Sequence, residues 1–338
     1  MNINSTPWIT LSLVLVAVAC SGPQKTSERA SGRGELIRER GAEAPAEEGV
    51  DKGAKTASAE AAVDTRHRVQ LSPPQRVGDR GKVTYKAVRS VTQQFGVGMN
   101  VPPQTRVVTV ILTGTETVRE VSKDGRSLWS DIEVERCDVS LGETSQEVLQ
   151  AGAVVSVKRT GPEPRLLVDG AAAGRKAAMS LRLLFSTKDL KASDHKIFGT
   201  DEPRAVGDSW GHNTEAVAEL FSGLKMVVDP QSVSGSSTLT AVKPCGKTRC
   251  QVTTTSFQIA DFRPAKLRPN MDVVDTGFTG FAHRTLAVDP RLGPSEGKEG
   301  FVMEMTLSTQ RGDQELQVKS TFDFKRDFTW QPLQPAAP

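Results

Sequence analysis

Between Phe301 and Trp330 the chain alternates apolar and polar residues almost without a break. Phe301, Met303, Met305 and Leu307 are separated by Val302, Glu304, Thr306 and Ser308. After Arg311-Gly312-Asp313-Gln314 the alternation resumes. Leu316, Val318, Phe322, Phe324, Phe328 and Trp330 then fall on one face, with Gln317, Lys319, Thr321, Asp323, Lys325 and Asp327 opposite. A period of two is the signature of a strand with one face in a core and one in water. A parallel strand covered on both sides would be apolar throughout, so the pattern demands an antiparallel sheet. The second run far exceeds the usual ~5–6 residues of a strand, and such length is accommodated by bending or coiling. The expected fold is mainly β (α+β): a large bent antiparallel sheet or half-barrel with one or two helices packed on it.

Upstream segments fit the same sheet. Val83-Tyr85-Ala87 alternates with polar partners, and residues 106–120 read as a long strand carrying Val108, Val110 and Leu112 on one face. Lys123-Asp124-Gly125-Arg126 marks a hairpin turn. The return strand shifts phase between Val134 and Cys137, which predicts a β-bulge near Arg136. Residues 154–159 and 165–168 form another predicted hairpin around Gly161-Pro162, and Phe278–Val288 a further strand. Two stretches change period. Ala178, Leu181, Leu184 and Phe185 predict a helix over 171–185, and Val217, Leu220, Phe221 and Leu224 one over 214–224 with Thr214 as its cap.

At the other end of the chain, Trp8 to Cys20 is an apolar run closing on a cysteine behind Ala17-Val18-Ala19. It is shorter than the ~20 residues of a permanent membrane helix and suits the h-region of a secretory signal. Its ending resembles a bacterial lipobox, which implies lipidation of Cys20 and a membrane tether. Residues 1–7 contain no Lys or Arg, and Ala17 stands where that pattern favours Leu. The same three residues satisfy the A-x-A rule for ordinary cleavage, which would leave Cys20 unmodified. In a two-membrane host, Ser21 after the cysteine implies delivery to the outer membrane. Residues 21–64 are aromatic-free and rich in Ala, Glu, Gly, Ser, Lys and Arg. They cannot bury enough apolar surface to offset ordering and are expected to be a disordered linker, with an r.m.s. span of about 35–40 Å. The organisation expected is signal 1–20, linker 21–65, β domain 66–332 and tail 333–338.

Charge excludes one class of partner. The linker holds seven Lys/Arg and nine Asp/Glu of the chain's 43 and 40, leaving 36 against 31 downstream. So slight an excess, with no basic run interleaved by aromatics, predicts no nucleic-acid binding. The search for chemistry finds little. His67, His195, His212 and His283 share no metal spacing, so neither a metal nor a cofactor is expected. His212 lies near Asp208, but Ser209 lacks a nucleophile-elbow context. Gly246-Lys247-Thr248 echoes the end of a phosphate loop, but Ala241 occupies the place of its first Gly. Arg311-Gly312-Asp313 reads as a polar hairpin turn.

Cys245 and Cys250 flank a short turn between two predicted strands. Cross-strand spacing suits a disulfide there, and an exported chain would form it. A metal site would need further ligands. Cys137 is then a buried thiol, or a partner for one of the other two.

Pro203-Arg204-Ala205-Val206-Gly207-Asp208-Ser209-Trp210 resembles the Pro-x-x-Val-Gly-Asp-Ser/Thr-Trp element of an uncharacterised family of secreted bacterial lipoprotein domains. The likeness covers roughly residues 77–332. Val77-Gly78-Asp79 ahead of the first strand hints at two related halves. In physical terms Gly permits a tight turn, Asp bonds the backbone within it, and Trp starts the next strand inward. The architecture also resembles the half-barrels of lipoprotein carriers and lipid-binding lipoproteins. Two readings of function follow. In the first, the chain is a membrane-tethered, non-enzymatic envelope module of structural or interaction type, with an envelope protein as its partner. Alternatively, a concave face lined by Phe301, Met303, Met305, Phe322 and Phe324 binds an acyl chain or other apolar ligand.

Overall fold

The computed structural model describes residues 65–333 apart from 73, 97–100, 124, 160–164, 186–193, 312 and 313. Cys20, the linker to residue 64 and the tail beyond Leu333 lie outside the described residues, as does the turn at Gly161-Pro162. Thr65 opens a compact unit.

Its strands are β1 (Arg80–Phe95), β2 (Gln104–Val121), β3 (Ser127–Leu141), β4 (Thr144–Leu149), β5 (Val154–Lys158), β6 (Arg165–Val168) and β7 (Ala171–Ala172). Helices α1 (Arg175–Leu184) and α2 (Asp194–Phe198) follow, then β8 (Ser209–Gly211), α3 (Thr214–Gly223) and β9 (Met226–Val228). The chain ends in β10 (Val233–Cys245), β11 (Thr248–Ile259), β12 (Phe262–Pro264), β13 (Met271–Ala287), β14 (Ser295–Arg311) and β15 (Gln314–Pro332). Twelve strands run in the order β7-β6-β5-β3-β2-β1-β15-β14-β13-β11-β10-β8, with β4 beside β3, and β9 pairs with β12 apart from this sheet. Every pairing is antiparallel.

The period-two pattern fixed this register. Phe301 faces Phe324, Met303 faces Phe322 and Leu307 faces Val318 across β14 and β15. A one-residue slip would turn that whole apolar set to the other side. The phase shift in β3 is a bulge. Thr113 pairs with Arg136 while Gly114 pairs with Val134, so Glu135 is the additional residue. Cysteine and valine positions on either side of it thereby stay on one face, and Ile132, Val134, Cys137 and Val139 all join the core.

The Val-Gly-Asp turn occurs twice with one hydrogen-bond pattern. Gly78 and Gly207 hold φ of 90° and 96°, where a side chain would strain the backbone. Asp79 Oδ2 accepts from Arg76 N–H at 2.7 Å, and Asp208 Oδ2 from Ala205 N–H at 2.9 Å. Gly78 and Asp79 exchange bonds with Val118, as Gly207 and Asp208 do with Leu239. Each turn feeds an antiparallel series, β1 to β7 outward from the middle of the sheet and β8 to β15 back to it.

Three expectations need correction. The first helix starts at Arg175, because Asp169 and Gly170 both adopt positive φ and close a tight hairpin that draws Ala171 and Ala172 into β7. Asn213, not Thr214, caps α3: its side chain accepts from Ala216 N–H at 3.0 Å. Phe324 contacts the core around Leu181, Leu184 and Phe185 but is only half-buried, whereas the alternation placed it inside. Lys325, on the other face, is exposed and pairs with Asp323.

Candidate functional site

The sheet face that carries the helices is divided by a row of rings. Phe257 of β11, Phe278 of β13, Phe301 of β14 and Phe324 of β15 lie with successive centroids 5.3, 5.2 and 5.4 Å apart. This spacing follows from the separation of neighbouring strands, ~4.8 Å. Gly280 makes the row possible, since a Cβ there would meet the Phe257 ring at 2.2 Å. Phe198 continues the row 5.3 Å beyond Phe257, and Phe221 of α3 stands edge-on against Phe278 at 5.0 Å.

Cover over this row is uneven. Phe278, Met303, Met305 and Leu307 are buried, whereas Phe257, Phe301, Phe322 and Phe324 are half-buried. Of the five residues proposed to line a ligand site, then, Met303 and Met305 are core and the three phenylalanines are partly open. At the α1 end, Leu181 and Leu184 seal a second cluster with Val83, Leu112, Ile132 and Trp330.

A chain of charges lies on the same face. Glu299 pairs with Arg326 on the adjacent strand and with Arg284 at 2.9 Å, and Arg284 also holds Asp194 at 2.8 Å. Arg326 donates to Leu184 O at 3.0 Å, at the end of α1. Burial would raise the Glu299 carboxyl, but Arg326 and Arg284 outweigh it and hold the group at about 2. Burial likewise pulls the Arg284 guanidinium down, and Asp194 and Glu299 carry it above its ordinary range. Sequence reading missed this network. The available signal was that Glu299 and Arg326 interrupt the apolar face in phase with Phe301 and Phe324.

Cys245 and Cys250 are joined, with Cα atoms 5.6 Å apart. Register sets Cys245 opposite Thr248 and Cys250 opposite Lys243, so the bridge runs diagonally and not straight across the hairpin. Replacing both cysteines by serine is expected to cost about 2 kcal/mol, as measured by denaturant titration, because the closed loop is short. Cys137 is a free, fully buried thiol, pushed up to about 12 by burial and then by Asp138 and Glu147.

The residues weighed for catalysis do not converge. Asp208 is used in its turn, Ser209 Oγ bonds Thr238 at 2.7 Å, and His212 Nε2 sits 3.1 Å from Ser237 Oγ. Among the described residues no group of three or more His, Cys, Asp or Glu is placed to hold a metal. No described helix is long and apolar enough to cross a membrane.

No family model matches the chain, and no curated protein matches it. Among solved structures, the outer membrane protein OprG from Pseudomonas aeruginosa aligns over 77% of this chain and 99% of its own, with 8% identity and a TM-score of 0.12. A score that low supports no inference about fold or function.

Proposed function

We propose that this chain is a non-enzymatic bacterial envelope lipoprotein, tethered through Cys20, that holds an acyl chain or other apolar ligand along the Phe257–Phe278–Phe301–Phe324 row. In this reading the sheet curves as a half-barrel, and the outer membrane is its site. The observation that carries it is the exposure of Phe301 and Phe324. They lie on strands in the middle of a 13-stranded sheet, where a filled core would bury them, yet both are half-open beside buried Met303 and Met305. Apolar rings left partly in water beside a buried charge network suit a long, narrow apolar guest. An envelope protein docked on the same rings is the competing use of the face.

Mass spectrometry of material extracted from the purified protein distinguishes them. A near-stoichiometric apolar molecule, lost from the Phe301→Ala and Phe324→Ala variants, is the expected result. A clean protein that takes up no fatty acid or phospholipid in native mass spectrometry would remove the ligand reading. Anchoring is tested separately. Cys20→Ala is expected to move the protein from the membrane to the soluble fraction, and an intact mass lacking an acylated Cys20 would refute the tether.

A further inference from the structure

A cleft of about 730 Å³ opens where residues 66–70 cross the hairpin of β10 and β11. Arg66, Arg68, Lys247 and Arg249 line it, and no carboxylate does. The side chains of Arg68, Lys247 and Arg249 pair with no acidic residue among those described. Some surface cations elsewhere are matched, as in Arg119–Asp131 at 2.8 Å and Arg291–Asp289 at 2.5 Å.

The cations stand on a fixed frame. His67 exchanges backbone hydrogen bonds with Arg204 at 2.7 and 2.9 Å, and Val69 and Leu71 are buried against Trp210 and Leu239. The buried Gln251 side chain accepts from Gln70 N–H and donates to Arg68 O, which ties the strap to β11. Across the cleft, the Cys245–Cys250 bridge and the bond from Lys247 N–H to Leu292 O, 2.7 Å, hold the turn. Arg68, Lys247 and Arg249 line one cleft and pair with no described acid, so they repel one another, and an anion relieves that cost.

We propose that this cleft binds the phosphate-bearing headgroups of an anionic membrane surface. The ligand class follows from the cation set, because guanidinium forks match phosphate oxygens in pairs and lysine adds a point charge. A lipid surface is favoured over a free anion by the position of the cleft in the chain. Arg66 and Arg68 sit at the start of the unit that begins at Thr65, directly after the segment leading from Cys20. That placement rests on the tether proposed above; the cation cluster itself does not.

The test uses the full chain bearing Cys20→Ala, and compares its partition into phosphatidylcholine vesicles with and without phosphatidylglycerol. Retention on the anionic vesicles, weakened by added salt, is the expected result. Each of Arg68→Gln, Lys247→Gln and Arg249→Gln should lower that partition about fivefold, and the triple variant about 100-fold. Lys266→Gln/Arg268→Gln, which removes exposed charge elsewhere, should leave it unchanged. Unaltered melting curves establish that the variants fold. Equal partition into both vesicle types, equal losses in the Lys266/Arg268 control, or pyrophosphate binding without vesicle retention would each overturn the proposal. Failure of the Cys20 tether would not by itself do so, because the cleft would still partition.

Discussion

Glu299→Ala is expected to destabilise the protein by about 3–5 kcal/mol, the cost of removing the central carboxylate of a largely buried charge cluster. Arg326 and Arg284 converge on that one carboxylate; without it Arg284 keeps Asp194 of α2, whereas Arg326 keeps only the Leu184 carbonyl. Chemical denaturation of the variant measures the loss. Glu299→Gln keeps shape and one acceptor but removes the charge, so it should fall between the variant and the parent. The same network sets the response to acid. Glu299 has an ordinary value of 4.5 and is held at about 2 in the folded chain. Because the folded value is the lower one, the contribution is complete above about 4.5 and is lost as pH falls toward 2. A pH series of melting temperatures should show the parent losing stability in that window and Glu299→Gln losing less. Parallel acid profiles for the two would contradict the assignment.

The elements that could be read from sequence are those whose cause is local. The β14–β15 register is written in the alternation of Phe301, Met303, Phe322 and Phe324, and the bulge in the phase break between Val134 and Cys137. The start of α1 was misread because Ala171 and Ala172 favour a helix in isolation, while the Asp169-Gly170 turn commits them to pair with Val168 and Leu167. Tertiary pairing outweighed propensity there. What could not be read was convergence. Asp194, Arg284, Glu299 and Arg326 come from four elements, and Arg68 meets Lys247 and Arg249 only because the strap crosses a hairpin some 180 residues away in sequence. Net charge averaged over the domain conceals both. The half-exposure of Phe324 was likewise invisible, since alternation tells which face a ring is on and not what covers it.

That last distinction separates Phe278 from its neighbours in the row. Phe278→Ala is expected to cost about 3–5 kcal/mol. Its ring is 9% exposed and touches Phe257, Phe301 and, from α3, Phe221. Removing it leaves a hole under α3, and Gly280, the next residue on that face of β13, carries no side chain to move in. Phe324→Ala takes away a ring of equal size from the same face. There, however, part of the lost surface already faced water, so the penalty should be well below that of Phe278→Ala. Ligand uptake should order the two variants differently. If the row is a binding face, Phe324→Ala loses the bound apolar molecule while keeping most of its stability, and a Phe278→Ala protein refolded under stabilising conditions retains some uptake through Phe301 and Phe324. Denaturant titration of both variants, paired with extraction and mass spectrometry, gives the two readouts on one sample. A Phe324→Ala loss as large as that of Phe278→Ala would mean that the ring is core in solution, and the apolar-ligand reading of this face would fall with it.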